Sequence, residues 1–423
     1  MKADWKHRAT PSIHRGGATA ATARSQWWDA ALLSVILMLV SWLTVNAGIR
    51  VGDRFIMRGT GYPAAHEVAP DLFRFDAKYY LQIADEGYAY DGRPDSSPNI
   101  VFAPMFPMLV RGASALTPLS SVDAGFLLNK LLLVGAVFFW LLYLAGQLGF
   151  NSALAILLAS VTSAGAYSLH ALYSESTLLF FMGLCFWAHA REKWWLAALA
   201  CAAMSASRLT AFPVAVVFAV DFGIKAFRNR SVPAVALERL SYAALCVCGT
   251  AAYLVYIGRT FGDPLPLLQE IQQTSWGRFH QSVSWVKLLD GAYLFDYALA
   301  AYHRGWRTVF DSRSINLLWL LLGLIASVHL MLSHRRKPVA WAFLGYFAII
   351  YWSDASSEFL ISCHRFFAIM PPIYIMFSAL YTWLNERLHK PMAQLAVGLL
   401  VLVNLGYGVF MTAAFNRGLW SYF

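Results

Sequence analysis

The chain has 423 residues, of which 59% are hydrophobic and 13% charged. Soluble domains carry about 25% charged residues, so this composition excludes an ordinary water-soluble enzyme. The formal charge of +10 does not point to nucleic acid, because many of the lysines and arginines flank apolar runs, as the short cytoplasmic loops of a membrane protein require.

Apolar runs long enough to cross a hydrocarbon core of about 30 Å recur from end to end. A bilayer offers the backbone no water, so such runs form helices. The predicted helices, in chain order, are 27–48, 124–148, 152–170, 174–190, 194–207, 211–226, 239–258, 315–332, 338–353, 366–384 and 391–414. The fold class expected is all-α, a polytopic transmembrane bundle of about 11 helices. Arg208 divides the fifth helix from the sixth, since an arginine at mid-span costs about 3 kcal/mol on insertion scales. With that division Arg191/Lys193, Lys225/Arg228/Arg230, Arg335/Arg336/Lys337 and Arg387/Lys390 all fall on the side of the basic tail 1–26. The first run lacks a small-residue cleavage site and reads as an uncleaved anchor. Residues 27–423 then form one membrane domain with two long outer loops, 49–123 and 259–314, bearing short interfacial helices. Loops this long commonly have a function.

The five cysteines lie in or near apolar runs with no CxxC spacing, and no P-loop, GxGxxG or HExxH is present. No disulfide framework, metal or cofactor is expected.

In the first outer loop, Arg74-Phe75-Asp76-Ala77-Lys78-Tyr79-Tyr80 opens a segment with helical spacing of apolar and aromatic residues. Asp76 projects from it close to low dielectric, where a carboxylate suits general-base work; otherwise it is a helix-start residue paired with Arg74 or Lys78. Phe102-Ala103-Pro104-Met105-Phe106-Pro107 reads as a membrane-surface anchor. Ser174 and Glu175 begin a helix, as N-cap and dipole partner, unless Glu175 touches substrate. Arg208, one hairpin on, reaches the same face and can pair with Glu175. In the second outer loop Gly262-Asp263-Pro264 is a tight turn, and the segment through Trp276 and Arg278 suits a sugar. His364-Arg365 closes the series at the outer end of a span. Arg365 there either grips a phosphate through its planar fork or reaches up to lipid headgroups.

Taken in order, Arg74 to Ala84 with Gly87-Tyr88, Phe102 to Leu109, Tyr173 to Ser176, Ser207 to Thr210, and Gly262 to Leu265 with Trp276-Gly277-Arg278 resemble the PIG-V-like mannosyltransferases over roughly residues 70–280. The resemblance implies a GT-C glycosyltransferase fold with a groove for a lipid carrier. It implies transfer of a sugar, mannose by analogy, from a polyprenyl-phosphate donor to a glycan, lipid or protein acceptor, with inversion. Its catalytic acidic residue falls on Asp76. Arg365, His364 and Arg208 are then expected to hold the donor phosphate, and Lys78, Tyr79, Glu175, Trp276 and Arg278 the substrate. Bacterial homologues place such a protein in the inner membrane with its site facing the periplasm. Phe75 and Tyr79 stand where eukaryotic members have Trp and His, so a GPI intermediate is not implied as acceptor. The competing class is a transporter or flippase without chemistry, which would favour mid-span charges and repeated halves; this sequence gathers its charges at outer helix ends.

Overall fold

The computed structural model describes residues 20–56, 71–276, 312–354, 362–387 and 390–419. Among these every regular element is helical. The longer ones are α1 (Ala20–Phe55), α4 (Ser121–Leu148), α5 (Phe150–Val161), α7 (Glu175–Ala190), α8 (Trp194–Ser205), α9 (Phe212–Arg228), α10 (Pro233–Thr260), α12 (Ser312–His334), α13 (Pro338–Asp354), α15 (Pro371–Arg387) and α16 (Lys390–Asn416). Each expected helix has its counterpart, and six stretches are long and apolar enough to cross a membrane. Between them lie the short helices α2 (Ala77–Asp85), α3 (Met105–Leu116), α6 (Ala166–His170), α11 (Pro264–Trp276) and α14 (Cys363–Ala368). The first expected helix runs longer than predicted, to Phe55.

Two expected helices are interrupted. The run 152–170 breaks at Thr162–Gly165, and the run expected at 366–384 starts three residues early and breaks before Pro371-Pro372. Neither proline can donate a backbone hydrogen bond. A broken helix at membrane depth is tolerated only where protein groups take up the freed carbonyls, and here they do. Ser160 Oγ donates to Ile369 O at 2.5 Å, Ser41 Oγ to Val161 O at 2.6 Å, Asn404 Nδ2 to Ala159 O at 2.8 Å and Tyr374 Oη to Ala368 O at 2.8 Å. The two breaks therefore pack against each other. Gly165 permits this: a Cβ there would lie 2.7 Å from Ile369 Cγ2 and 3.3 Å from Arg365 O. Its φ of −90° and ψ of 0° are open to any residue, so the restriction is one of space alone. Gly165→Ala should cost about 1–3 kcal/mol as overpacking. A thermal shift within error of wild type would show that the two breaks are not in contact.

The bundle has two chemically distinct ends. Helix α7 starts at Glu175 and finishes before Arg191; α9 follows Arg208 and finishes at Arg228; α12 starts beside His364 and leads to Arg335-Arg336-Lys337; α15 follows Arg365 and finishes at Arg387. The basic loops thus lie at the ends away from Arg208 and Arg365. At the end that holds Arg208 and Arg365, a small cluster of Ile100, Val101, Tyr253, Ile257, Leu268 and Ile271 ties the segment after α2 to α10 and α11. With the basic loops in the cytoplasm, Ser96 faces outward and Ser231, after α9, inward. A membrane-impermeant thiol reagent should modify Ser96→Cys and spare Ser231→Cys in intact cells, with the native cysteines removed. The reverse pattern would sink this orientation.

Candidate functional site

Four charged side chains from four distant segments meet at the end of the bundle away from the basic loops. The first is Asp76, immediately before α2. Its carboxylate makes no cap bond to the helix it precedes. Its backbone instead anchors it, the N–H donating to Tyr173 Oη at 3.3 Å and the C=O accepting from Tyr79 N at 3.0 Å. Phe75, the residue before it, has φ +49°, a left-handed conformation that costs a non-glycine residue of order 1–3 kcal/mol. Its ring is held against Phe415 with centroids 5.3 Å apart. The chain is thus bent so that the Asp76 carboxylate points inward, onto Arg365.

Arg365 donates from Nη1 to Asp76 Oδ2 at 3.0 Å, and its Nε lies 3.0 Å from Glu175 Oε1. The second contact is an ion pair without hydrogen-bond alignment. Glu175 Oε1 also accepts from Arg208 Nη1 at 2.6 Å. The order is Asp76–Arg365–Glu175–Arg208, two carboxylates alternating with two guanidiniums. Exposure falls from 17% at the Asp76 side chain to 12% at Arg208, 8% at Arg365 and 1% at Glu175. Glu175 Oε2 is buried and has no hydrogen-bond partner among the described residues.

Aromatic faces fix the cations. Arg365 Cζ stands 4.9 Å from the Tyr173 ring and 5.1 Å from Phe366, and Arg208 Cζ 4.6 Å from Phe366. Each such contact contributes about 0.5–2 kcal/mol, more as water is excluded. The alternation satisfies charge locally, as buried ions require, and keeps both guanidiniums beside a partly open surface.

His364 is fully buried. Its Nε2 and Tyr167 Oη are 3.0 Å apart, its Nδ1 and Asn316 Oδ1 2.7 Å, and its backbone N–H donates to that same Oδ1 at 3.0 Å. The carboxamide oxygen calls for Nδ1–H, so Nε2 accepts from the tyrosine. Both ring nitrogens are thus engaged in holding α14 rather than facing the four charges. Ser362, which begins that turn, has φ +66°; the backbone is strained just before Arg365 as it is just before Asp76.

The alternative partners expected for Asp76 are occupied elsewhere. Arg74 donates from Nε to Asn416 O at 3.1 Å and from Nη1 to Phe73 O at 2.9 Å. Lys78 Nζ lies over the Tyr79 ring at 4.7 Å, and Tyr79 stacks on Phe102 at 4.9 Å. Ser174 stands at the N-cap position of α7, yet its hydroxyl meets Tyr80 Oη at 2.9 Å instead of a helix N–H. Burial pushes the Tyr80 phenol up to about 12, so it stays protonated at neutral pH. Trp276 ends α11, and Arg278 lies outside the described residues. Tyr173, Tyr167 and Asn316 were not singled out as site residues by the sequence. The Tyr173–Glu175 adjacency pointed to the first, and nothing local distinguishes the other two.

Beyond Asp76 along the chain, the outward face of α2 and the loop after it line an open groove of about 950 Å³. Lys78, Tyr79, Gln82, Glu86, Tyr90 and Arg93 are among its lining residues. Among the described residues no group of three or more His, Cys, Asp or Glu side chains could hold a metal ion.

No family model and no curated protein matches the chain. Among solved structures it is similar to the oligosaccharyltransferase of Archaeoglobus fulgidus in complex with Zn and sulfate, at 14% identity and a TM-score of 0.46, covering 90% of this chain and 53% of that one. It is similar also to the apo form of that enzyme, at 12% identity and a TM-score of 0.44, covering 91% of this chain and 56% of that one. The chain therefore spans about half the length of these structures. At such scores the likeness extends to neither substrate nor site.

Proposed function

We propose that the chain is an inverting membrane glycosyltransferase of the GT-C type, moving a sugar from a polyprenyl-phosphate carrier to an acceptor hydroxyl on the outer face. Mannose is the sugar by the family resemblance. The observation that carries this reading is the meeting of Asp76, Glu175 and Arg208, drawn from three of the segments on which the resemblance rests, with Arg365 at the end of the bundle away from the basic loops.

The chemistry follows from the arrangement. A sugar hydroxyl is a poor nucleophile at neutral pH. Asp76, within reach of its proton, makes attack on the anomeric carbon feasible as the bond to the phosphate oxygen breaks. The proton passes to Asp76, the hydroxyl oxygen bonds to carbon, and the electron pair leaves with the phosphate. That group needs no protonation, so a hydrolase-like pair of carboxylates is unnecessary. The charge developing on it needs fixed positive partners in a poorly hydrated place, and Arg365 and Arg208 stand there. Arg365 holds Asp76; a phosphate that takes over the Arg365 fork leaves the carboxylate free as a base. His364 enters this reading as the residue that positions Arg365. Charges gathered at one end of the bundle also favour a surface reaction over a flippase pathway.

The test is a transfer assay. Membranes holding the chain receive a prenyl-phosphate sugar labelled in the sugar, and label is followed into water-soluble and lipid acceptors. Label should enter an acceptor in the wild type and not in Asp76→Asn. Equal incorporation by the two would overturn the reading.

A further inference from the structure

We infer that the groove along α2 is the acceptor subsite and that it takes a short neutral oligosaccharide. This rests on the reading just given and names the acceptor class for the same site.

The groove has unspent polar groups on one side and a rigid wall on the other. Lys78, Gln82 and Glu86 succeed one another at four-residue intervals and line it together, as residues on one helix face do. Their side chains make no hydrogen bond or ion pair with another described residue, and Lys78 and Glu86 are exposed. The opposite wall is pinned. Buried Asn99 accepts from Ala89 N at 2.9 Å and donates to Gly87 O at 3.1 Å. Ser275 Oγ accepts from Ser97 N at 3.1 Å and donates to Pro94 O at 2.5 Å, tying the loop to α11. A fixed wall facing uncommitted donors and acceptors is how a preformed small-molecule site is built.

Charge and size indicate the ligand. Lys78 and Arg93 are balanced by Glu86 and Asp91, and Arg93 is spent on Asp91 at 2.7 Å. The groove therefore has no excess of either sign, unlike a phosphate site, and favours a neutral ligand bound through hydroxyls. The Tyr90 ring lines the groove as an apolar surface of the kind that sugar rings use. About 950 Å³ is near the upper end of small-molecule sites, which run to about 1,000 Å³. That exceeds what one sugar ring needs. From Lys78 to Glu86 the groove follows about 12 Å of helical rise, and its Tyr79 end is about 4.5 Å of rise from Asp76. A glycan lying along it would place one terminus at the end of α2 that Asp76 precedes in the chain.

The experiment measures binding of a panel of neutral gluco-, manno- and galacto-configured tetrasaccharides to the full chain in detergent, by saturation-transfer NMR and titration. No turnover is required. At least one should bind, and Gln82→Ala should weaken it about fivefold and Glu86→Gln about tenfold, as loss of a neutral and a charged hydrogen bond implies. Because these side chains support no internal contact, the melting temperature should not move. The inference is overturned if no tetrasaccharide binds the wild type more tightly than the Gln82→Ala/Glu86→Gln double variant. It is overturned also if, with acidic tetrasaccharides run beside the neutral panel, only the acidic ones respond to the substitutions. Sugar binding as expected with undiminished transfer by Asp76→Asn would remove the proposed mechanism and leave the groove standing. Loss of transfer in Asp76→Asn with groove variants that bind normally would do the reverse.

Discussion

Asp76→Asn should leave a folded protein that transfers sugar about a hundred- to ten-thousandfold more slowly than the wild type, the range lost on removing a general base. The amide keeps the shape of the side chain and can still accept the bond that Arg365 Nη1 now donates at 3.0 Å. What it loses is the negative charge and the ability to take a proton. Breaking a fully buried ion pair costs about 3–5 kcal/mol. That is an upper bound here, because the Asp76 side chain is 17% exposed and Arg365 keeps Glu175 beside it. Stability measured by thermal melting should therefore fall only modestly, while binding of the prenyl-phosphate donor is retained. The neighbouring carboxylates are the controls. Asp85 accepts from Ser121 Oγ across to α4, and Glu86 lines the groove. Asp85→Asn should keep near-normal turnover, and Glu86→Gln should keep turnover at saturating acceptor. If Asp85→Asn loses transfer and Asp76→Asn does not, the base has been misplaced.

Arg365 is the second position of large effect. Replacement by Ala removes the cation shared by Asp76 and Glu175 and leaves a carboxylate that is 1% exposed with Arg208 alone. Loss of a partner from a buried network costs about 3–5 kcal/mol, so this variant should be both unstable and inactive. Arg365→Lys separates the two effects. It restores the charge, but a single ammonium cannot supply the two-pronged geometry that meets Asp76 from Nη1 and Glu175 from Nε. It should melt closer to wild type than the Ala variant, yet lose about a hundred- to a thousandfold in turnover, as when one preorganised partner of a developing anion is removed. Saturating donor should not restore the rate. A lysine variant with wild-type turnover would show that Arg365 only completes the internal charge balance.

Much of the bundle was legible in the chain itself. Apolar runs bounded by basic residues placed the helices, because insertion into a bilayer is decided segment by segment from local hydrophobicity and flanking charge. The short α8 and α9 were separable for the same reason, Arg208 being too costly inside a span. The interruption at Thr162 to Gly165 was not legible, since it sits in a run apolar enough to continue, and of the second only Pro371-Pro372 gave a local sign. Both open backbones are sustained by Ser160, Ser41, Asn404 and Tyr374 from other places in the fold.

The site divides along the same line. Asp76, Glu175, Arg208 and Arg365 each stood out alone, as charged residues at the outer ends of apolar segments, and the pairing of Glu175 with Arg208 followed from adjacent hairpins. That Arg365 would join Asp76 to Glu175, across 289 residues in the first case, could not be read from either neighbourhood. Locally Asp76 has Arg74 and Lys78 as partners, and the sequence left it between them. The structure turns Arg74 to the end of α16 and Lys78 toward the groove, and the bend at Phe75 points the carboxylate at Arg365. Hydrophobicity, charge and helix spacing are properties of short windows, so the sequence by itself determined the helical membrane architecture and the identity of the charged residues. Which carboxylate faces which guanidinium depends on how two broken helices cross, and that is settled only when the whole bundle has packed.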